Sequence, residues 1–228
     1  MCGRFQATTS PAELARLFKT IGPLPNTAPR YNAAPTHDLP VVLRGPGTGQ
    51  RRLVALRWGL IPFWAKDAKI GYTTNNAMAE TVATTRAFRD AFKSRRCLVP
   101  ADGFYEWKKV GANIKQPYRF AMADGAPFAF AGLWDFARYE AMRRFTIITC
   151  QANALCTPIH NRMPVILDSI DHPAWLGETP ATADVLQALL RPFPAERMQA
   201  HEIRPRIGNV RNDDATLIER ASAAQIPG

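Results

Sequence analysis

Along this chain, hydrophobic and polar positions alternate more often than they recur at helical spacing. PVVLR, RRLVALRWGLI, RCLVPA, GFYEWKK, PYRFAM, FAFAGLWDF and RFTIITC are β-branched and aromatic runs with partial alternation, a pattern that predicts strands. Turn residues bound them, among them Gly111-Ala112-Asn113 and Asp124-Gly125. Helical periodicity is confined to short stretches. SPAELARLFKT predicts a helix with Ser10 as N-cap, Pro11 in the first position and Glu13 closing a capping box. Leu14, Leu17 and Phe18 then share one face. TTRAFRDAFKSR predicts a second helix with Ala87, Phe88, Ala91 and Phe92 inward, ATADVLQALLRPF a third, and DHPAWLG a further turn. Many strands with few helices predict an α+β fold: a single domain over residues 1–228, with an antiparallel, barrel-like β core and peripheral helices.

The βαβ alternation of doubly wound folds is missing from the pattern. So are GxGxxG, the P-loop signature, HExxH and GxSxG, which removes the usual support for nucleotide-dependent and zinc-protease chemistry. A chain of 228 residues that is 46% hydrophobic can bury a sizeable core. The charge balance, 29 Lys+Arg against 19 Asp+Glu for a net +10, favours a polyanionic partner, phosphate backbones being the commonest. The competing explanation is a solvated basic surface. The four cysteines, Cys2, Cys97, Cys150 and Cys156, form no CxxC pair and fit no zinc spacing. No metal and no cofactor are expected, and a reducing compartment is the simple reading. MCGRFQATTS lacks the apolar core of a signal peptide, and no stretch approaches the ~20 apolar residues of a membrane span. The expectation is a soluble, cytoplasmic monomer.

Several residues depart from the pattern. Within GFYEWKK, Glu106 stands among aromatics. A carboxyl group there has a raised pKa suited to proton transfer, unless an arginine neutralises it. His160, in TPIHNRMPVIL, is a candidate acid or base or a structural histidine. Its neighbour Arg162 is a candidate phosphate contact or a plain surface residue. The adjacent asparagines of TTNNAMAET mark a turn or hold a reacting group. Trp58, Trp64, Trp107 and Trp134 suit a core; Trp64, beside Pro62 and Lys66, is the one most suited to stacking on a nucleobase. His37, His172 and His201 stand in unremarkable polar contexts.

Cys2 raises the sharpest question. Cysteine is small enough for the start methionine to be trimmed from it, which leaves an α-amine and a thiol on adjacent carbons. That amine has a pKa of about 7.7–8.0 against about 10.4 for lysine. With an aldehyde, the amine forms an imine and the thiol closes on the imine carbon, giving a five-membered thiazolidine. Both nucleophiles sit on one residue, so the second step has a high effective molarity. If Met1 stays attached, the amine is an amide and this chemistry cannot start. Two alternatives remain at this point: an N-terminal nucleophile hydrolase attacking an acyl group, and a cysteine buried in a first strand.

MCGRF, RYNAAPT, RWGLIPFWAKD, NAMAET, RCLVPADGFYEWKK, KQPYRF, FAFAGLW, FTIIT, PIHNRMPVIL and GNVRN occur in that order over nearly the whole chain. In this the sequence resembles the SOS-response-associated peptidase (SRAP) family of abasic site processing proteins. The resemblance implies that Cys2, freed of Met1, traps the ring-opened sugar of an abasic site in single-stranded DNA as a thiazolidine crosslink. It implies that Glu106 moves protons during imine formation and later hydrolysis. His160 would stabilise the open sugar and protonate its ring oxygen, and Asn76 would position the Cys2 centre. Thr149 would line the same pocket and join Arg4, Trp64, Trp107 and Arg162 in a DNA-binding surface. Two positions depart from the family: Met78 replaces an arginine of NAR-x-E, and Asn161 replaces the acid of IHDR. Weak lyase activity follows from an imine intermediate. A thiol peptidase and a non-covalent single-strand binder are the remaining alternatives.

Overall fold

The computed structural model describes residues 2–45, 47–136 and 143–222. Thirteen strands and four α-helices are ordered along the described residues. The strands are β1 (Phe5–Ala7), β2 (Arg30–Ala33), β3 (Asp38–Arg44), β4 (Arg51–Trp58), β5 (Asn76–Met78), β6 (Arg96–Ala101) and β7 (Gly103–Lys109). They continue with β8 (Lys115–Met122), β9 (Phe128–Phe136), β10 (Arg143–Gln151), β11 (Arg162–Pro164), β12 (Ile166–Leu167) and β13 (Met198–Glu202). The helices are α1 (Pro11–Phe18), α2 (Arg89–Ser94), α3 (His172–Leu176) and α4 (Ala183–Ala188).

One sheet runs β13-β8-β7-β1-β2 and is antiparallel throughout. The other runs β11-β10-β4-β3-β6-β9-β12, and pairing of β9 with β10 closes its middle strands into a ring. The barrel-like expectation is met by this ring. It is not wholly antiparallel: β10 runs parallel to β4, with Phe145 opposite Trp58, and parallel to β5, with Ile147 opposite Asn76. The α+β class therefore holds, with parallel joints that alternation cannot reveal, because alternation reports the faces of a strand and not its direction.

The two sheets share one apolar core. Phe5 packs edge-on against Trp58 at 5.1 Å and Phe130 at 5.6 Å, while Phe104 stacks on Phe120 at 4.8 Å. Each such buried ring contributes ~1.5–3 kcal/mol. Side chains on a strand alternate faces, so Glu106 follows Phe104 toward this core. Tyr105 and Trp107 point the other way, into a satellite cluster with Ile203, Ile207 and Leu217.

Two helical details differ from the sequence expectation. Ser10 caps α1 by accepting from the Glu13 N–H at 3.2 Å, but the Glu13 carboxylate turns to Arg16 at 2.6 Å and leaves the capping box half made. A cation one turn along is a stronger partner for a carboxylate than a neutral N–H. Leu14 and Phe18 are buried, whereas Leu17 is 41% exposed because it lies at the margin of their stripe.

Candidate active site

Cys2 lies just before β1 and is fully buried; its thiol donates to the Arg4 carbonyl at 3.8 Å. β1 pairs Phe5 with Phe104 of β7, which brings the chain start alongside Glu106. Glu106 is 5% exposed. Burial raises its pKa, and the nearby charge of His160 acts in the opposite direction. Burial also pushes the Cys2 thiol far up, and the Glu106 carboxylate pushes it further. Cys156 belongs to the same group: burial and the Glu106 charge raise its thiol to about 12. Cys2, Glu106, His160 and Cys156 thus form one group: Glu106 acts on both thiols, and His160 acts on Glu106. Burial and the neighbouring negative charge both disfavour the Cys2 thiolate, since two adjacent anions in a buried site are costly.

His160 is set by a structured turn. Asn153 accepts from the N–H groups of Leu155 and Cys156 at 3.1 and 3.0 Å, and the Cys156 carbonyl then accepts from the His160 N–H at 2.9 Å. The His160 Nδ1 accepts from the Arg162 N–H at 3.0 Å and lies 3.1 Å from the Arg162 carbonyl. Arg162 in turn grips Glu80 through two bonds of 2.7 and 2.9 Å and donates to the Thr149 carbonyl at 2.6 Å. The Glu80 carboxyl is held below its usual range by Arg162.

Asn76 enters through β5. Its Nδ2 donates to the Ile147 carbonyl at 3.4 Å, while its buried Oδ1 has no hydrogen-bond partner among the described residues. The preceding Asn75 carbonyl is fixed by the Trp58 indole N–H at 2.8 Å. Here the double asparagine opens a short strand. Thr149 stands on β10 opposite Met78 and Pro164, its hydroxyl donating to the Ala77 carbonyl at 3.3 Å. Asn76, Thr149 and Arg162 are therefore joined across three adjacent strands, β5, β10 and β11.

The remaining candidates stand differently. The Arg4 guanidinium donates to Asn32 Oδ1 at 3.0 Å, to the Ile207 carbonyl at 3.1 Å and to the Gly208 carbonyl at 3.4 Å. Asn32, fully buried, is the residue that anchors it. Trp64 is half-buried in a small cluster with Ile61 and Ala65, and the Arg86 guanidinium lies 4.4 Å over its ring. Its neighbour Phe63 is 50% exposed. Trp107 occupies the face of β7 opposite Glu106. Sequence reasoning assigned nothing to Cys156 or Glu80; both owe their place to tertiary contact, although Glu80 falls within the quoted NAMAET motif. No group of three or more His, Cys, Asp or Glu side chains among the described residues is placed to hold a metal ion. None of their helices is long and apolar enough to cross a membrane. A cavity of about 830 Å³ lined by Phe18, Phe128, His172 and Arg197 among others shares no residue with the Cys2 group.

Comparison with known proteins decides the family. The profile described as "SOS response associated peptidase (SRAP)" matches residues 1–210. The chain belongs to the SRAP family. Among similar SRAP-like sequences is the abasic site processing protein YoqW of Bacillus subtilis (strain 168), 39% identical over 224 residues covering 96% of this chain and 99% of that one. The abasic site processing protein YedK of Escherichia coli (strain K12) is 33% identical over 228 residues, covering 96% and 99%. The abasic site processing protein HMCES of Xenopus tropicalis is 30% identical over 260 residues, covering 93% and 76%. An X-ray structure of a protein from Bacteroides thetaiotaomicron shares the fold with a TM-score of 0.86 at 28% identity, over 97% of this chain and 100% of that one.

Proposed function

We propose that this protein processes abasic sites in single-stranded DNA by capturing them covalently through Cys2. What supports this reading most directly is the burial of Cys2 beside Glu106, within the group that includes His160. The relatives' names agree with the reaction class.

The steps follow from the chemistry of the group. After removal of Met1, the Cys2 amine adds to the C1′ aldehyde of the ring-opened sugar. His160 protonates the ring oxygen as the sugar opens to that aldehyde, and the proton released by the C1′ hydroxyl restores the ring. The carbinolamine then loses its hydroxyl as water, and Glu106 supplies the proton. Burial raises the pKa of the Glu106 carboxyl, the direction that suits a proton donor. The Glu106 carboxylate left behind takes the proton of the Cys2 thiol as sulfur closes on the imine carbon. The net reaction joins one aldehyde and one aminothiol, releases one water and returns Glu106 to its starting state. The unpartnered Asn76 Oδ1 is suited to accept from the Cys2 amine during these steps. Reversal by the same route hydrolyses the crosslink. β-Elimination at the imine stage gives the weak lyase activity.

Intact mass before and after mixing with a short single strand carrying one abasic site tests this reading. The expected result is loss of Met1 and a stoichiometric adduct that needs no borohydride. A heat-stable adduct that still forms with Cys2→Ser or Cys2→Ala would show the thiazolidine mechanism to be wrong.

A further inference from the structure

A second cleft, of about 800 Å³, opens between the β3–β4 turn and the start of β6 and shares no residue with the Cys2 group. Its walls carry Arg44, Lys93, Arg95 and Arg96, with Thr48 at the β3–β4 turn and Trp134 on β9. No carboxylate lines it among the described residues. Elsewhere several arginines pair with acids: Arg51 with Glu178, Arg57 with Asp38, Arg197 with Asp168. The cleft is also unlike the 830 Å³ cavity, where Asp124, Asp168 and Glu196 stand among the cations.

The cations of this cleft are held mainly by neutral groups. Arg96 donates to the Trp175 carbonyl at 2.6 Å and to the Phe92 and Lys93 carbonyls at 2.7 Å each. Arg44 donates to the Gly49 carbonyl at 3.2 Å and to the Gly177 carbonyl. Carbonyl partners fix a guanidinium's orientation without cancelling its charge. Of the four cations, only Arg95 has an acid partner among the described residues, Asp135 at 3.2 Å. Lys93 is exposed and forms no ion pair among the described residues. The result is a preorganised cationic surface whose ordering cost is met within the fold.

We propose that this cleft is a second nucleic-acid contact, a binding site for backbone phosphates outside the Cys2 centre. The proposal rests on the reading above only in taking the partner to be DNA. Fixed guanidinium forks suit phosphate oxygens. Trp134 pairs with Phe145 on β10, and Thr149 lies four residues further along that strand, a separation of about 13 Å at ~3.3 Å per residue. At ~3.4 Å per nucleotide, a strand held at the Cys2 centre needs a flank of about four nucleotides or more to reach the cleft.

The test compares wild type, Lys93→Glu and Lys93→Gln with Lys115→Glu, an exposed control on the other sheet. Anisotropy titrations of an undamaged 20-nucleotide single strand over a salt series read affinity and its salt slope. The expected result is a loss on the order of tenfold for Lys93→Glu, with a slope flattened by ~0.7 for each phosphate the variant no longer neutralises. Lys93→Gln should show the same flattening with a smaller loss, and Lys115→Glu a smaller change in both. An abasic 5-mer with the lesion at its centre, its two-nucleotide flanks too short to reach the cleft, should crosslink at the wild-type rate in every variant. The proposal is overturned if Lys93→Glu matches Lys115→Glu. It is also overturned if the Lys93 variants weaken binding of pyrophosphate, measured by calorimetry, while leaving the oligonucleotide slope unchanged. Failure of the wild type to crosslink the 5-mer would instead count against the Cys2 chemistry, with the salt slopes unaffected.

Discussion

The backbone of Arg162 clasps the imidazole of His160 at Nδ1, with its N–H at 3.0 Å and its carbonyl at 3.1 Å. A neutral ring accepts from the N–H at Nδ1, and a protonated ring donates to the carbonyl from the same atom. The two contacts at Nδ1 therefore hold the ring in one orientation, as the proton transfer proposed for His160 would need. His160→Ala is expected to slow crosslinking ~10²–10⁴-fold and to change its pH profile. Arg162→Lys leaves the backbone clasp in place, so it should weaken DNA affinity while keeping the wild-type profile at saturating DNA. Single-turnover crosslinking between pH 5 and 9 separates the two. Loss of the profile in Arg162→Lys would mean that its side chain, and not the clasp, sets the ring.

Glu106 links activity to stability. Its folded pKa is raised by burial, so folding favours the protonated carboxyl. The sign follows: this contribution is fully present below the unfolded carboxyl pKa and is lost as pH rises through the folded value. Glu106→Gln keeps the shape and removes the charge. Its melting temperature should exceed that of wild type at pH 7–8, and the difference should shrink toward pH 4. Its crosslinking rate should fall ~10²–10⁴-fold. Calorimetry at two pH values together with a single-turnover assay checks both halves, and a variant less stable than wild type at pH 8 would contradict the account.

The strands that carry their own signal were legible in the sequence. FAFAGLWDF and RFTIITC became β9 and β10 because β-branched and aromatic side chains pack well on a pleated surface. Asn76–Met78 was not legible, since three residues become a strand only through the partner beside them. The direction of β10 against β4 was hidden because alternation reports the faces of a strand and not its direction. At the site, Cys2 was marked by position and Glu106 by its aromatic neighbours. Cys156 was not, because its relation to Glu106 arises only when the turn after β10 folds back. The context of His172 was misjudged: it looked polar in sequence, but the ring is buried and stacks on Phe18 at 5.7 Å.

That misjudged histidine carries a stability prediction. Burial, with the Arg51 charge adding to it, lowers His172 from 6.5 to about 4. A depressed histidine contributes stability that is present above the unfolded pKa and is lost as pH falls from there toward the folded value. The window runs from about pH 6.5 down to about pH 4. At ~1.36 kcal/mol per pKa unit the full loss is on the order of 3 kcal/mol. Wild type should melt lower at pH 5 than at pH 7, and His172→Phe, which keeps a ring against Phe18, should show a flatter dependence. Equal slopes for the two proteins would place the acid sensitivity elsewhere.

Met78 offers the reverse experiment, a gain. It is 45% exposed and lies opposite Thr149 on β10, where Arg162 is already paired with Glu80 at 2.7 Å. An arginine at position 78 would add a cation beside that pair, on the strand that holds Asn76. The substitution is on the surface, so Met78→Arg should change the melting temperature little. Its binding to an undamaged single strand should tighten, with the salt slope steepened by ~0.7 for one further phosphate neutralised. The crosslinking rate at saturating DNA should stay at the wild-type value, because nothing in the Cys2, Glu106 and His160 group changes. A faster rate at saturation would mean that the residue at 78 acts on the chemistry itself. An unchanged slope would mean that this edge of β5 lies outside the path of the DNA.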